Sequence, residues 1–207
     1  MRIRAFVDYW NFQLSLNHKE QNVTGVSDCR FKVNWKDLGP LLATKAAEVV
    51  GCATSGYSFD GVIIYASYNQ NTEEGRGFNN WATTWLDRQP GVSVKCLLRK
   101  PKALPKCPNC HKEIQNCPLC GKRINATVEK GVDTFIATDL IRLAWEDAYD
   151  IAVIASSDSD LVPAVEFIMQ KGLKIVQAGF PPIGVDLATA CWASFDVGRL
   201  RAEIKRP

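Results

Sequence analysis

The sequence predicts an α/β protein, a three-layer αβα sandwich around a parallel sheet. Three observations predict it. Runs apolar on both faces, such as Gly61-Val62-Ile63-Ile64-Tyr65-Ala66 and Ile151-Ala152-Val153-Ile154-Ala155, recur along the chain. Helix-like segments separate them. Gly51, Pro90-Gly91 and Gly172 punctuate the alternation. Strands apolar on both faces need cover on both sides, and crossover helices supply it.

In order, Ile3 to Val7 is a first short strand. Trp35 to Val50 is helix-like, stops at Gly51 and contains Pro40, so the helix begins or kinks at that proline. Gly61 to Ala66 is the second strand. Gly77 to Arg88 is a helix ended by Pro90-Gly91, and Val92 to Leu98 is the third strand. Val132 to Tyr149 is a long amphipathic helix. Ile151 to Ala155 is the fourth strand, Leu161 to Gln170 a helix, and Leu173 to Ala178 the fifth strand. Asp186 to Trp192 is a last short helix, and Phe195 to Leu200 adds a small strand.

The chain has 207 residues, 46% hydrophobic and 23% charged, with a net charge of +3. That suits one domain, or one domain carrying a small module. No apolar run approaches the roughly 20 residues needed to cross a bilayer. The N-terminus enters a strand at once and leaves no room for a signal peptide, so a cytoplasmic, reducing location is expected. No G-x-G-x-x-G follows the first strand and no P-loop is present. Familiar dinucleotide and nucleoside-triphosphate sites are therefore unsupported.

Four of the eight cysteines cluster as Cys107-Pro108-Asn109-Cys110 and Cys117-Pro118-Leu119-Cys120. Paired C-x-x-C turns in a reducing compartment read as a tetrahedral zinc site. The segment repeats itself at an offset of ten, as two knuckles facing one ion would. A redox pair or dithiol switch is the alternative. His111 is a possible substitute ligand. So few residues make no core unaided, and bound metal would supply their folding energy. Lys95 to Lys130 carries nine Lys/Arg against Glu113 and Glu129, a net +7, which leaves −4 for the rest. Arg99, Lys100, Lys102, Lys106, Lys122, Arg123 and Lys130 are the candidate polyanion contacts; a solvated surface is the alternative.

The strand ends are acidic. Asp8 closes the first strand, Asp158 and Asp160 follow the fourth, and Asp133 opens the long helix. If the first and fourth strands are neighbours, these carboxylates converge on one cleft. Clustered carboxylates repel and need a cation, and oxygen donors select Mg²⁺ or Mn²⁺. Such an ion activates water and stabilises charge on a phosphodiester. Asn11 offers a neutral oxygen, and helix N-termini after Asp8, Asp133 and Asp158 would present N–H groups. Taken singly, each acid is as well explained as a helix cap, Asp158 for the helix from Leu161 and Asp186 for the last helix. Asp139 lies about 240° round the helix from Asp133 and is not expected on the same metal. Tyr9, Trp10, Phe12, Tyr65 and Tyr68 would stack on unpaired bases if exposed, or pack the core if not.

Phe6-Val7-Asp8-Tyr9-Trp10-Asn11, Lys130-Gly131-Val132-Asp133 with Asp139-Leu140, and Ile154-Ala155-Ser156-Ser157-Asp158-Ser159-Asp160-Leu161 resemble the NYN domain family, the LabA-like branch of the PIN-like nuclease superfamily. Gly172 to Val176 follows at the expected place. The resemblance implies a single domain over 1–207 with a PIN-like parallel sheet of order 3-2-1-4-5. A zinc-ribbon-like module is inserted at 101–126. It also implies a metal-dependent endoribonuclease, with Asp8, Asp133, Asp158 and Asp160 as the Mg²⁺/Mn²⁺ site and Asn11 beside them. Ser157 stands where many members have Gly. The expected partner is single-stranded or structured RNA, with DNA possible and no membrane. A non-catalytic RNA-binding adaptor on the same fold is the alternative. A haloacid-dehalogenase-type phosphatase is disfavoured, since Trp10 occupies the place of its second Asp.

Overall fold

The computed structural model describes residues 1–52, 56–124 and 127–206. The last two positions of the expected 101–126 module and position 207 lie outside them. The strands are β1 (Arg2–Asp8), β2 (Ser58–Tyr68), β3 (Val92–Leu98), β4 (Lys100–Pro101), β5 (Thr127–Val128), β6 (Ile151–Ala155), β7 (Lys174–Gly179) and β8 (Ala193–Asp196). The α-helices are α1 (Tyr9–Thr24), α2 (Trp35–Val50), α3 (Glu73–Trp81), α4 (Val132–Trp145), α5 (Val162–Gln170), α6 (Val185–Ala190) and α7 (Arg201–Ile204). A π turn, Ala82–Leu86, extends α3, and a 3₁₀ turn, Ser159–Leu161, precedes α5.

One six-stranded parallel sheet has the order β3-β2-β1-β6-β7-β8. In chain order this is the expected 3-2-1-4-5 arrangement with β8 added at the edge. Period-two alternation makes its two layers. Ala5 and Val7 of β1, Val62 and Ile64 of β2, and Val153 of β6 face the core shared with α1 and α2. Phe6, Ile63, Ala152 and Ile154 face the core shared with α4 and α5. Every residue of β6 is buried, as a central parallel strand requires. Among the described residues no helix is long and apolar enough to cross a membrane.

Several elements depart from the sequence expectation; α3 starts at Glu73 rather than Gly77, and α4 ends at Trp145 rather than Tyr149. Helix α1 had a start but no extent, because only Tyr9, Phe12, Gln13 and Leu16 turn to the core. Its later turns are polar and carry no apolar period. Helix α2 begins at Trp35 and runs through Pro40. Pro40 is exposed, so water can serve the Lys36 carbonyl that the proline leaves without an N–H. The last strand begins at Ala193 rather than Phe195 and ends at Asp196, where a 3₁₀ turn takes over.

Between β3 and α4 the chain leaves the sheet on a small antiparallel stalk, with Lys100 opposite Val128 and Pro101 opposite Thr127. The cysteine segment hangs from that stalk.

Helix α2 crosses β2 closely at Gly39. A Cβ there would lie 2.7 Å from the Phe59 ring and 2.9 Å from a Val62 methyl. Overpacking costs about 1–3 kcal/mol, more than the roughly 1 kcal/mol helix-propensity gain of Ala over Gly. Gly39→Ala is therefore expected to lower the urea midpoint with an unchanged m-value; a raised midpoint would show a looser α2–β2 contact than described.

Candidate active site

Parallel pairing of β1 with β6 brings the two acidic strand ends together. Asp8 is nearly buried, 5% exposed, and caps α1 by accepting a hydrogen bond from the Asn11 amide at 3.1 Å. Burial pushes its carboxyl up to about 7 against that hydrogen bond, and the charges of Glu129, Asp133 and Asp158 push the same way. Asp133 stands in the first turn of α4 after Gly131, which takes a left-handed φ of 90°. Its carboxyl is also raised, by burial first and then by Asp158, Glu129 and Asp160. The four sequence-predicted acids thus share one electrostatic neighbourhood.

The loop after β6 is held from three sides. Asn11 Oδ1 accepts from the Ser157 amide at 3.0 Å, and Gln177 Nε2 donates to the Ser156 carbonyl at 3.1 Å. Asp158 donates its own amide to Ser156 Oγ at 3.2 Å and accepts from the Asp160 amide at 2.9 Å. Asp158 therefore caps the 3₁₀ turn before α5, while Asp160 is exposed. Asn11 directs its side-chain oxygen at the loop, which gives it a positioning role. Ser157 has no positive φ, so this turn has no need of glycine. The close approach falls on Gly184, where a Cβ would lie 2.8 Å from Ser157 Cα and Cβ. Asp186 is exposed in the first turn of α6, and its carboxyl has no part in the raised values of Asp8 and Asp133.

Sequence reasoning missed Glu129 and Ser67. Ser67 is buried at the end of β2; its hydroxyl donates to Glu129 and accepts from Arg99 Nε at 2.9 Å. Arg99 lies 3.8 Å from the Glu129 carboxylate and 5.2 Å over the Trp10 ring. Trp10 Nε1 donates to the Ser67 carbonyl at 2.7 Å. Arg99, a candidate polyanion contact, is thus tied into the acidic site. The spacing of Glu129 four residues before Asp133 was the available signal. Lys100, Lys102, Lys106, Lys122, Arg123 and Lys130 are exposed.

Asp139 belongs to a separate cluster. It is buried and accepts from Tyr65 Oη at 2.7 Å, Lys95 Nζ at 2.5 Å and Arg142 at 3.4 Å. Of the aromatic residues weighed between base stacking and core packing, Tyr9, Phe12 and Tyr65 are core residues.

The cysteine segment forms two congruent knuckles. Cys107 N–H donates to Lys112 and His111 N–H to Cys107, while Cys117 N–H donates to Lys122 and Gly121 N–H to Cys117. His111 and Gly121 take the same left-handed φ, 58° and 69°. Backbone N–H groups of Cys110 and Asn109 lower the Cys107 thiol, and those of Cys120 and Leu119 lower the Cys117 thiol. Amides aimed at thiolates are the donor chemistry a soft metal site needs. Among the described residues, no three His, Cys, Asp or Glu side chains are gathered closely enough to hold a metal ion by themselves.

A family model described as NYN domain matches residues 3–197. Among curated proteins none matches. The fold is similar to the crystal structure of a protein of unknown function from Vibrio parahaemolyticus, at 18% identity and a TM-score of 0.52, covering 95% of this chain and 94% of that one.

For Asp139, burial raises the carboxyl, but hydrogen bonds from Lys95 and Tyr65 prevail and hold it below the ordinary value. A lowered folded value stabilises above the unfolded carboxylate value of about 3.9 and is lost as pH falls through the folded one. Asp139→Asn is expected to cost about 1.5–3 kcal/mol at pH 7, with the gap to wild type narrowing near pH 3. Urea unfolding at both pH values measures it; an equal gap at each would show the bond to Lys95 is not ionic.

Proposed function

The chain belongs to the NYN domain family, within the PIN-like nuclease superfamily, and on that premise we propose that it is a metal-dependent endoribonuclease. The observation that carries the reading is the parallel pairing of β1 with β6, which sets Asp8 beside the loop of Asp158 and Asp160, with Asp133 and Glu129 close enough to raise the Asp8 carboxyl. Carboxylates that raise one another have the donor chemistry for a hard divalent cation. Mg²⁺ needs only one or two of them, completing its shell with water and substrate phosphate. Asp8, Asp133, Asp158 and Asp160 would hold Mg²⁺ or Mn²⁺. Bound there, the ion supplies an activated water and neutralises charge on the phosphodiester.

The chain's own residues do the rest. Asn11 and Gln177 fix the loop that presents Asp158 and Asp160. Ser67 and Arg99 hold Glu129 beside Asp8. Lys100, Lys102, Lys106, Lys122, Arg123 and Lys130 supply phosphate contacts, and the stalk returns the chain from them to Glu129 and Asp133. The two knuckles would hold one structural Zn²⁺ through Cys107, Cys110, Cys117 and Cys120.

Two experiments test this. Labelled RNA and matched single-stranded DNA are incubated with wild type and Asp158→Asn, with Mn²⁺, with Mg²⁺ and with EDTA. Metal-dependent RNA cutting by wild type, reduced at least about a hundredfold in the variant, is expected. If neither protein cuts and both bind RNA, the chain is an RNA-binding adaptor. Separately, the metal-free chain titrated with Co²⁺ should develop thiolate charge-transfer absorption saturating at about one equivalent. Cys110→Ser with Cys117→Ser should abolish it; unchanged absorption would remove the four-cysteine site.

A further inference from the structure

Outside the residues assigned to the acidic site lies a cleft of about 490 Å³, one of whose lining residues, Tyr9, follows Asp8 in the chain. Its walls are Tyr9, Trp35, Phe78, Trp81 and Trp85. Tyr9 and Trp35 stack at 4.6 Å and 21°, and Trp81 and Trp85 stack at 5.9 Å and 19°. Trp85 remains 45% exposed. The π turn at Ala82–Leu86 follows Trp81 and carries Trp85, and such turns concentrate at functional sites. Arg30, Lys32 and Arg206 line the cleft against one carboxylate, Glu74, among its described lining residues. The C-terminal segment is tied there, with Arg206 N–H donating to the Lys32 carbonyl at 2.8 Å.

Flat aromatic walls select a flat π-system, and three cations against one acid select an anion. A nucleotide joins both properties in one unit: a base that stacks and a phosphate that pairs. The cleft wall is also linked to the acidic site by side-chain contacts. Arg99, which faces Glu129, covers Trp10; Trp10 meets Phe78 at 5.1 Å, and Phe78 meets Trp81 at 5.9 Å. A series of side-chain contacts therefore joins the acidic site to the wall of this cleft. We propose that the cleft is a subsite for an unpaired nucleotide of the RNA strand. Its base stacks on Trp85, and its phosphate is met by Lys32 and Arg206. The identity of the strand rests on the nuclease reading; the binding does not.

The test separates the two. Binding of fluorescein-labelled octaadenylate RNA to the full chain is followed by anisotropy, in the Asp158→Asn background so that no RNA is consumed. Trp85→Ala should raise Kd about tenfold, while Trp85→Phe, which keeps a stacking face, should stay within about threefold of the parent. Lys32→Ala with Arg206→Ala, both exposed and so indifferent to folding, should flatten the salt dependence of log Kd by about 0.7 per residue. Unchanged affinity in Trp85→Ala and an unchanged salt slope in the double variant would overturn the subsite. Cleavage by the otherwise wild-type chain is measured separately. Cutting that survives Trp85→Ala with unaltered KM removes the subsite and leaves the nuclease standing. Lost binding with no cutting by wild type keeps the subsite and removes the nuclease.

Discussion

The parallel pairing of β1 with β6, in register from Ile3 opposite Ile151 to Val7 opposite Ala155, is the contact on which the rest depends. It sets the last residue of β1 beside the turn that leaves β6. Asp8 and the Asp158–Asp160 loop come from opposite halves of the chain, and nothing local joins them. Bulky apolar residues on both faces of both strands specify the pairing, since a one-residue slip would exchange the faces of every side chain. The ligand-binding edge of an open parallel sheet lies beyond the carboxyl ends of its strands, where Asp8 and the Asp158 loop are.

Gathering carboxylates there costs stability, because each disfavours the ionised form of the next. The fold sets several local interactions against that cost. Asp8 caps α1, Asp158 caps a 3₁₀ turn, and Asp133 occupies the favourable first turn of α4. Arg99 pairs with Glu129 and is itself covered by Trp10. Asp8, Asp133 and Asp158 therefore each have a structural reason for their position. The structural and chemical readings of these residues, which compete when each is taken alone, are compatible in the assembled site.

The basic stalked segment is the electrostatic counterpart. It leaves the sheet beside β3 and rejoins at Glu129, so the chain's most positive stretch is covalently bound to its most negative cluster. On the proposed reading, a polyanion held by exposed lysines on the stalked segment would have its backbone beside the acids.

The alternation of elements, the strand-end and helix-start positions of the four acids and the repeat of the cysteine segment were legible in the sequence, and the sheet order followed from the family resemblance. Strand burial, strand-end chemistry and C-x-x-C spacing are local patterns. The extent of α1 was not legible, because its polar later turns make no apolar period. Glu129, Ser67 and the cleft were not legible either. Ser67 and Glu129 are 62 positions apart, and Trp35, Trp85 and Arg206 converge from three distant segments. An aromatic residue reads alike whether it packs a core, as Phe12 and Tyr65 do, or walls a cleft, as Trp85 does. Local chemistry determined which groups this chain can bring to a site. Only the tertiary packing decided which of them meet, because convergence depends on helix and strand placement that no short stretch of sequence encodes.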